Sequence, residues 1–373
     1  MKKRARVWEG LMVEPATEGV ERSIAVEAPL RLAVDMDALA HNWRWFAEKA
    51  GPARCGAAVK ANGYGVGAKG VAARLAREGC RDFFVATWRE AVQLGDLPEG
   101  VQLSVLHGVQ ASDMARAVNM NVKPVLCTPG QVGRWREAAA WRPCDVMLDT
   151  GMNRLGLSLE QAASGLLAGL NIDTVHSHLS CADEPDHPMN RRQLVEFRGL
   201  SDKVPHRRLA LANSAGVCLG ADYGFDLVRP GLGLYGGVPH PAAKGMLQPV
   251  AGMQAKVVQV RDVPVGGAVG YNATFVAKKP TRVAILNLGY ADGLPRSIAE
   301  LAHARVGEIG CPILGRISMD LTAIDISAVP YLREEEWVDI VFDLAAAARV
   351  CGLSQYELLT GLGGRFDRMA LSS

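Results

Sequence analysis

The rhythm of apolar and polar positions changes once along this chain. From about residue 30 to 240, short apolar runs alternate with longer stretches in which apolar residues return every three or four positions. The runs cover residues 54–59, 83–87, 103–108, 124–128, 146–150, 174–179, 209–213 and 227–232. The stretches between them include 71–78, 89–94, 111–118, 131–140, 159–168 and 191–200. Strands buried on both faces read as near-continuous apolar runs, and parallel strands need crossovers that are usually helical. Eight such units in succession predict an α/β fold, a (β/α)8 TIM-like barrel over residues 29–244. A doubly wound sheet uses the same units and is the structural competitor; the count of eight favours the barrel.

Near residue 245 the pattern shifts. Short β-like runs at 253–263, 281–288, 312–317, 321–326 and 337–342 are punctuated by Pro264-Val265-Gly266-Gly267, Lys279-Pro280 and Gly289. They predict a mostly β C-terminal domain over 245–373. One short helix is expected at 354–361, with Ser354 as its N-cap. Residues 1–28 read as a polar extension with little to pack.

Composition changes this picture little. A chain of 373 residues, 49% hydrophobic and 21% charged, has room for two domains and a large core. Its formal net charge of +2 offers no basic excess for nucleic acid. Met1-Lys2-Lys3-Arg4 opens like a secretory signal, but Glu9 and Glu14 break the apolar stretch that should follow. No run reaches the length of a membrane span, so a cytoplasmic protein is expected. The eight cysteines are scattered singly, with no Cys-x-x-Cys pair. That spacing predicts free thiols rather than a disulfide frame or a zinc site.

In a barrel of this type the functional end is where the strands finish. Lys60 follows the first run, in Ala57-Ala58-Val59-Lys60-Ala61-Asn62-Gly63-Tyr64-Gly65. Low-dielectric walls at the barrel mouth would lower its pKa and suit it to Schiff-base chemistry. A lone strand-terminal lysine is more often just a solvated end. Gly63, Gly65 and Gly67 let backbone approach a ligand. Arg154, in Asp149-Thr150-Gly151-Met152-Asn153-Arg154, suits a carboxylate or phenolate oxygen, although a single loop arginine is usually solvated. His176 and His178 share a strand face but have no third metal ligand nearby. Ser214 follows the seventh run and the Gly231 amide lies at the end of the eighth, where such barrels commonly bind phosphate.

Together these motifs resemble the alanine racemase family, from about residue 30 to the C-terminus. The resemblance rests on Val59-Lys60-Ala61-Asn62-Gly63-Tyr64-Gly65, Asp149-Thr150-Gly151-Met152-Asn153-Arg154-Leu155-Gly156, Asn213-Ser214-Ala215 and Arg229-Pro230-Gly231 through Tyr235-Gly236. It continues through Gly270-Tyr271-Asn272-Ala273-Thr274, Gly289-Tyr290-Ala291-Asp292-Gly293 and Ser318-Met319-Asp320, in the family's order.

The resemblance implies a fold-type III enzyme that uses pyridoxal 5'-phosphate to interconvert L- and D-alanine, as a homodimer with shared active sites. Lys60 is then the Schiff-base lysine. Tyr64, Ser214 and Gly231 hold the phosphate, with Tyr235 a weaker candidate on that side. His178 packs on the cofactor and Arg229 faces the pyridine nitrogen. A guanidinium only donates, so the nitrogen stays unprotonated and the ring is a restrained electron sink. That favours return of the proton to Cα. Lys60 serves one face of Cα and Tyr271, from the partner subunit, the other. Positioned acid–base groups contribute roughly 10²–10⁴-fold each. A tyrosine base needs its pKa lowered from about 10, and the cations Arg154 and Lys60 are the expected cause. Arg154 and the partner's Met319 hold the substrate carboxylate, and Tyr290 narrows the entrance. D-alanine supply for peptidoglycan follows by family analogy.

Three places depart from the family pattern. Met147 stands seven residues before Arg154, where many members carry a carbamylated lysine, so a bound anion such as chloride or a nearby carboxylate is expected to orient Arg154. Val66 replaces a histidine beside the phosphate site. Arg365-Phe366-Asp367-Arg368 replaces Arg-Val-Pro-Arg, and residues 360–373 hold no tyrosine, so a C-terminal contact to the site is expected to be missing. A racemase acting on serine or on a broader set of amino acids is the main alternative. A barrel amino-acid decarboxylase is disfavoured because Ile317-Ser318-Met319-Asp320 lacks the thiol those enzymes place there. A non-catalytic pyridoxal-phosphate carrier is disfavoured because such proteins are barrels alone. No metal is expected.

Overall fold

The computed structural model describes residues 27–201 and 203–371. Residues 1–26, most of the expected extension, lie outside the described residues. The chain divides into two compact units, Ala38–Pro249 and a second made of the segment up to Asp37 together with Val250 onward. The strand β1 (Leu30–Asp35) belongs to the second of these.

The Ala38–Pro249 unit holds β2 (Arg54–Cys55), β3 (Ala57–Ala58), β4 (Asp82–Val85), β5 (Gln102–Val105), β6 (Lys123–Leu126), β7 (Pro143–Met147), β8 (Asn171–His176), β9 (Arg208–Ala210) and β10 (Leu227–Val228). Strands β3 to β9 form one parallel sheet in sequence order. Strand β10 closes the ring. It pairs in parallel with β2, the Gly56 and Ala58 amides donate to the Val228 and Pro230 carbonyls at 2.9 Å, and the Arg229 amide donates to Ala212 at 2.9 Å. The first barrel strand is therefore β2 and β3 interrupted at Gly56, where a Cβ would stand 2.7 Å from the Asp82 carbonyl oxygen. Only glycine lets β4 pass that close.

Helices cover the outside and begin where the side-chain chemistry directs. Thr87 and Glu90 form a capping box on Trp88–Leu94, Ser158 and Gln161 another on Leu159–Ala163, and Thr128 caps Pro129–Ala139. Two expected helices are shorter than their apolar pattern. The 159–168 stretch is helical only to Ala163, with Gly165 and Gly169 beyond it at φ 79°. The 111–118 stretch splits into a 3-10 turn and Met114–Ala117.

At the N-terminal end of the strands, Lys123 lies 3.1 Å from Asp145 and 2.5 Å from Asp173, while Arg208 joins Asp173 to Asp82 at 2.7 and 2.9 Å. These charges satisfy one another at the end where such barrels place stability rather than chemistry.

The second unit adds β11 (Ala251–Val263), β12 (Ala268–Val269), β13 (Phe275–Val276), β14 (Thr281–Leu286), β15 (His303–Val306), β16 (Ile309–Pro312), β17 (Thr322–Asp325), β18 (Trp337–Val341) and β19 (Phe366–Leu371). The sheet runs β16-β15-β18-β11-β1-β19, with β14 on β11 and β17 on β14. This corrects the expected domain boundary at its start. Residues 30–35, assigned to the barrel, lie between β11 and β19, with Leu30, Leu32 and Val34 almost fully buried. The 312–317 run is also not one strand: Gly315, at φ 67°, breaks it, and only Ile313 bridges to Ile324. Ser354 does cap a helix, Gln355–Thr360, in a capping box with Glu357.

Candidate active site

Lys60 directly follows the first barrel strand. The Val59 amide donates to the Phe84 carbonyl at 2.8 Å. The chain then turns left-handed for four residues: Ala61, Asn62, Gly63 and Tyr64 have φ of 51°, 52°, 63° and 53°. Such a conformation costs roughly 1–2 kcal/mol per non-glycine residue, so something must hold it. Gly63 and Gly65 donate back to the Val59 and Ala61 carbonyls. Asn62 Oδ1 accepts from the Ala68 amide at 3.0 Å, and Glu90 Oε1 accepts from the Ala61 amide at 2.7 Å.

Lys60 opens into a cavity of about 220 Å³ whose lining includes His107, Met147, Arg154, His178 and Arg229. Burial pushes the Lys60 ammonium down from its ordinary pKa, Arg154 and Arg229 push it further, and Glu90 pulls it back up. Burial, with Arg229, Arg154 and Lys60, drives His178 down to about 3, so its ring is neutral at ordinary pH. Arg229 is buried, which lowers it to about 10. Its Nη2 donates to the carbonyls of Ser177, Leu211 and Ala210, while its Nε is buried with no partner among the described residues.

Arg154 sits on a loop closed at its base. The Leu157 amide donates to Met147 at 2.8 Å and the Asp149 amide to Leu157 at 3.0 Å. Asp149 Oδ1 accepts from the Gly151 and Asn153 amides, and a Cβ at Gly156 would lie 2.6 Å from the Asp149 nitrogen. Among the described residues, no carboxylate pairs with the Arg154 guanidinium. The nearby carboxylate, Asp149, orders the loop through its amides instead of pairing with the guanidinium. Met147 is buried with Val125 and Cys127 against Leu106, a wall with no charge to offer.

A second cluster lies around Gly231. Its amide donates to Ser214 Oγ at 2.8 Å. A Cβ on Gly231 would come within 2.3 Å of the Tyr64 hydroxyl, so two hydroxyls and one backbone amide meet there. Tyr235 packs behind this cluster. Its ring stacks on Tyr64 at 4.6 Å and its hydroxyl donates to the Ala58 carbonyl at 2.8 Å. With 1% exposure, it backs Tyr64. Val66 is buried nearby in the chain.

The remaining expected residues belong to the second unit. The Tyr290 and Ala291 amides donate to the Ser318 and Met319 carbonyls. A Cβ at Gly289 would lie 2.2 Å from the Met319 oxygen, and one at Gly270 would lie 3.7 Å from the Arg316 nitrogen. Tyr271, Tyr290 and Met319 are all exposed, at 63%, 42% and 54%. Arg365, noted only as part of a departing motif, bridges Asp292 at 2.6 Å and Asp320 at 2.8 Å and so ties the Tyr290 turn to the Met319 turn.

Glu90 escaped the sequence reading as a site residue, although Thr87-Trp88-Arg89-Glu90 carried the capping-box signal. His176 faces no metal cluster: its Nε2 is 3.5 Å from Asp145 and its ring meets Phe84 edge-on. Among the described residues no group of three potential ligands could hold a metal ion, and no helix is long and apolar enough to cross a membrane. All eight cysteines are free.

Comparison with known proteins follows the same division. Residues 34–239 match the family model for the alanine racemase N-terminal domain, and residues 250–370 that for the C-terminal domain. A biosynthetic alanine racemase of Agrobacterium fabrum is 38% identical over 371 residues, covering 92% of this chain and 94% of its own. A catabolic alanine racemase of the same organism is 40% identical over 352 residues, covering 90% and 91%. The crystal structure of alanine racemase from Bartonella henselae with covalently bound pyridoxal phosphate has a TM-score of 0.83 and 32% identity, covering 92% of this chain and 100% of that one. With both domains matched in order and relatives of this similarity along nine-tenths of its length, the chain belongs to the alanine racemase family, enzymes of the isomerase class.

Proposed function

We propose that the protein interconverts L- and D-alanine with pyridoxal 5'-phosphate by a two-base mechanism, as a cytoplasmic homodimer whose sites each use residues of both subunits. The observation that carries the reading is the cavity at the strand ends, where a desolvated Lys60 shares space with Arg154, His178 and Arg229. The residues present suit the cofactor. The buried, unpartnered Arg229 Nε is a donor that a ring nitrogen satisfies. The Tyr64 and Ser214 hydroxyls with the Gly231 amide suit a phosphate.

Bound there, pyridoxal phosphate supplies an electron-withdrawing ring that acidifies the Cα–H of an attached amino acid. The chain's own residues do the rest. Arg229 stays protonated at neutral pH and can only donate, which limits how far the ring draws charge away from Cα. Lys60, its pKa lowered by burial, takes or returns a proton on one face of Cα. Tyr271, the partner subunit's contribution, does so on the other. Its 63% exposure within one chain is what a residue completing another subunit's site requires. Arg154, on its hydrogen-bonded loop and without a carboxylate partner among the described residues, is available to the substrate carboxylate, with the Met319 amide beside it and Tyr290 narrowing the entrance. We place the product in peptidoglycan supply, which D-alanine dependence of cells lacking the gene would test.

The second reading is a racemase that also takes larger amino acids, and the width of the entrance decides between them. One assay separates the two. Purified protein with added pyridoxal phosphate is given L-alanine, with L-serine, L-lysine and L-arginine in parallel. Turnover of alanine alone is expected, with Lys60→Ala inactive and unable to hold cofactor covalently. Turnover of the larger substrates moves the assignment to the broader enzyme, and no turnover by wild-type protein carrying cofactor on Lys60 overturns both.

A further inference from the structure

We infer that Glu90 is a positioning residue for Lys60, its carboxylate stapling the left-handed turn that follows the lysine to the end of the neighbouring barrel strand. The inference rests on the reading of Lys60 as the lysine that joins the cofactor.

Glu90 is the third residue of the helix Trp88–Leu94 and closes its capping box with Thr87. A capping box uses one contact, to the N-cap amide, and here that contact is the Thr87 N–H at 3.1 Å to Oε2. The carboxylate makes two more. Oε2 also accepts from the Ala86 amide at 2.6 Å, just past β4, and Oε1 accepts from the Ala61 amide at 2.7 Å. The last of these contributes nothing to the helix. It reaches back 29 residues in sequence, to the peptide unit that joins Lys60 to Ala61. Peptide units are planar, so fixing the Ala61 N–H fixes the ψ of Lys60 and with it the direction in which the side chain leaves the backbone.

The turn needs such a hold. Ala61 is the first of four left-handed residues, a conformation that non-glycine residues keep only when the surroundings over-determine it. Its amide points out of the strand ladder, and a charged acceptor makes the stronger hydrogen bond.

The same carboxylate has an electrostatic consequence. The charged or titratable groups around Lys60 are Arg154, Arg229, His178 and Glu90, with His107 and Asp149 lining the same cavity. Burial and both arginines disfavour the ammonium, and Glu90 alone among the groups acting on it favours it. Staple and counter-charge are separable by substitution. Glutamine keeps the length but loses the charge and one accepting oxygen. Aspartate keeps the charge but is too short to span Ala61 and Ala86 together.

The test uses full-length protein freed of cofactor, with pyridoxal phosphate as the probe. The Lys60 amine condenses with the aldehyde and releases water, and only the neutral amine attacks. The rate is followed by absorbance across pH, the product is trapped by borohydride reduction and mapped to its lysine, and kcat, KM and melting temperature are measured alongside. For Glu90→Gln, the midpoint of the rate profile moves to lower pH, and kcat falls about tenfold with KM for alanine little changed, because aim rather than binding is lost. For Glu90→Asp, the midpoint stays near that of wild type while the plateau rate falls. A lower melting temperature in both variants, with wild-type midpoint, plateau and kcat, would reduce Glu90 to a helix cap and overturn the inference. Wild-type protein that condenses elsewhere than at Lys60 refutes the underlying reading instead. Glu90→Ala is the harsher variant; should it fail to fold, the other two still decide.

Discussion

His176 and His178 look alike in the sequence, two imidazoles on one strand face, yet the fold gives them separate tasks. His178 opens on the cavity with Lys60 and Arg229. His176 is closed inside the barrel beside Asp145. Burial first, then Arg229 and Lys123, push His176 down to about 4, against the pull of Asp145. For Asp145, burial works upward, but Lys123, His176 and Ser104 outweigh it and hold the carboxyl well below its usual range. The sign for stability follows. His176 binds its proton more weakly folded than unfolded, so its share of stability is whole above pH 6.5 and falls away toward pH 4, by on the order of 3 kcal/mol. Asp145 adds a further loss at lower pH, as the unfolded carboxylates begin to protonate. His176→Gln should therefore flatten the fall in melting temperature between pH 6.5 and 4. A slope equal to that of wild type would show that His176 does not carry it. At this scale the sequence was legible where chemistry is local. Lys60 after an apolar run and Ser354 before a helix could be read directly. Tyr235 could not, because its hydroxyl partner, Ala58, lies 177 residues away. Glu90 was readable as a cap and not as a staple for the same reason.

Among elements, the barrel strands declare themselves because burial on both faces writes a continuous apolar run. Their ends do not, since Leu148, beyond β7, is as buried as the strand itself and extends the run into the mouth loop. Strand β1 was misassigned on different grounds. Nothing between it and the helix Met36–Ala50 marks a boundary, and both of its partners come from beyond residue 250. Its place between β11 and β19 yields a sharp expectation. A chain shortened to begin at Met36 leaves two strand edges bare and removes three buried aliphatic side chains, Leu30, Leu32 and Val34, each worth about 1.5–3 kcal/mol of burial. Hydrogen exchange should show protection lost after Val250 and kept between Ala38 and Pro249. Loss spread evenly over both segments would argue that the two units do not fold separately.

The molecule as a whole distributes its candidate residues over both units. Lys60, Arg154, His178 and Arg229 line one cavity of the first, and Tyr271, Tyr290 and Met319 are exposed on the second. If a site combines one group from each subunit of a symmetric dimer, two inactive variants repair each other. Lys60→Ala mixed with Tyr271→Phe gives half mixed dimers, each with one site that has both residues intact, so about a quarter of wild-type activity should return. No recovery after dissociation and remixing, with mixed dimers demonstrated by mass, would rule out sharing between subunits. Two domains could be read from composition and rhythm alone. Their true membership could not, because a strand at one end of the chain answers to strands at the other.

That last arrangement also sets an order of events during synthesis. Strand β1 leaves the ribosome before the whole barrel segment, and β19 only well after it. The barrel segment is complete at Pro249, and the stretch from there to Phe366 takes on the order of ten seconds at roughly 5–20 residues per second. For that interval Leu30-Arg31-Leu32-Ala33-Val34 can take β11, which follows Pro249 directly, on one side, while its other edge stays open to pairing with any other edge it meets until β19 arrives. A ribosome paused between the two domains would therefore hold a finished barrel preceded by an unpaired strand, and the second domain closes only once β19 has emerged.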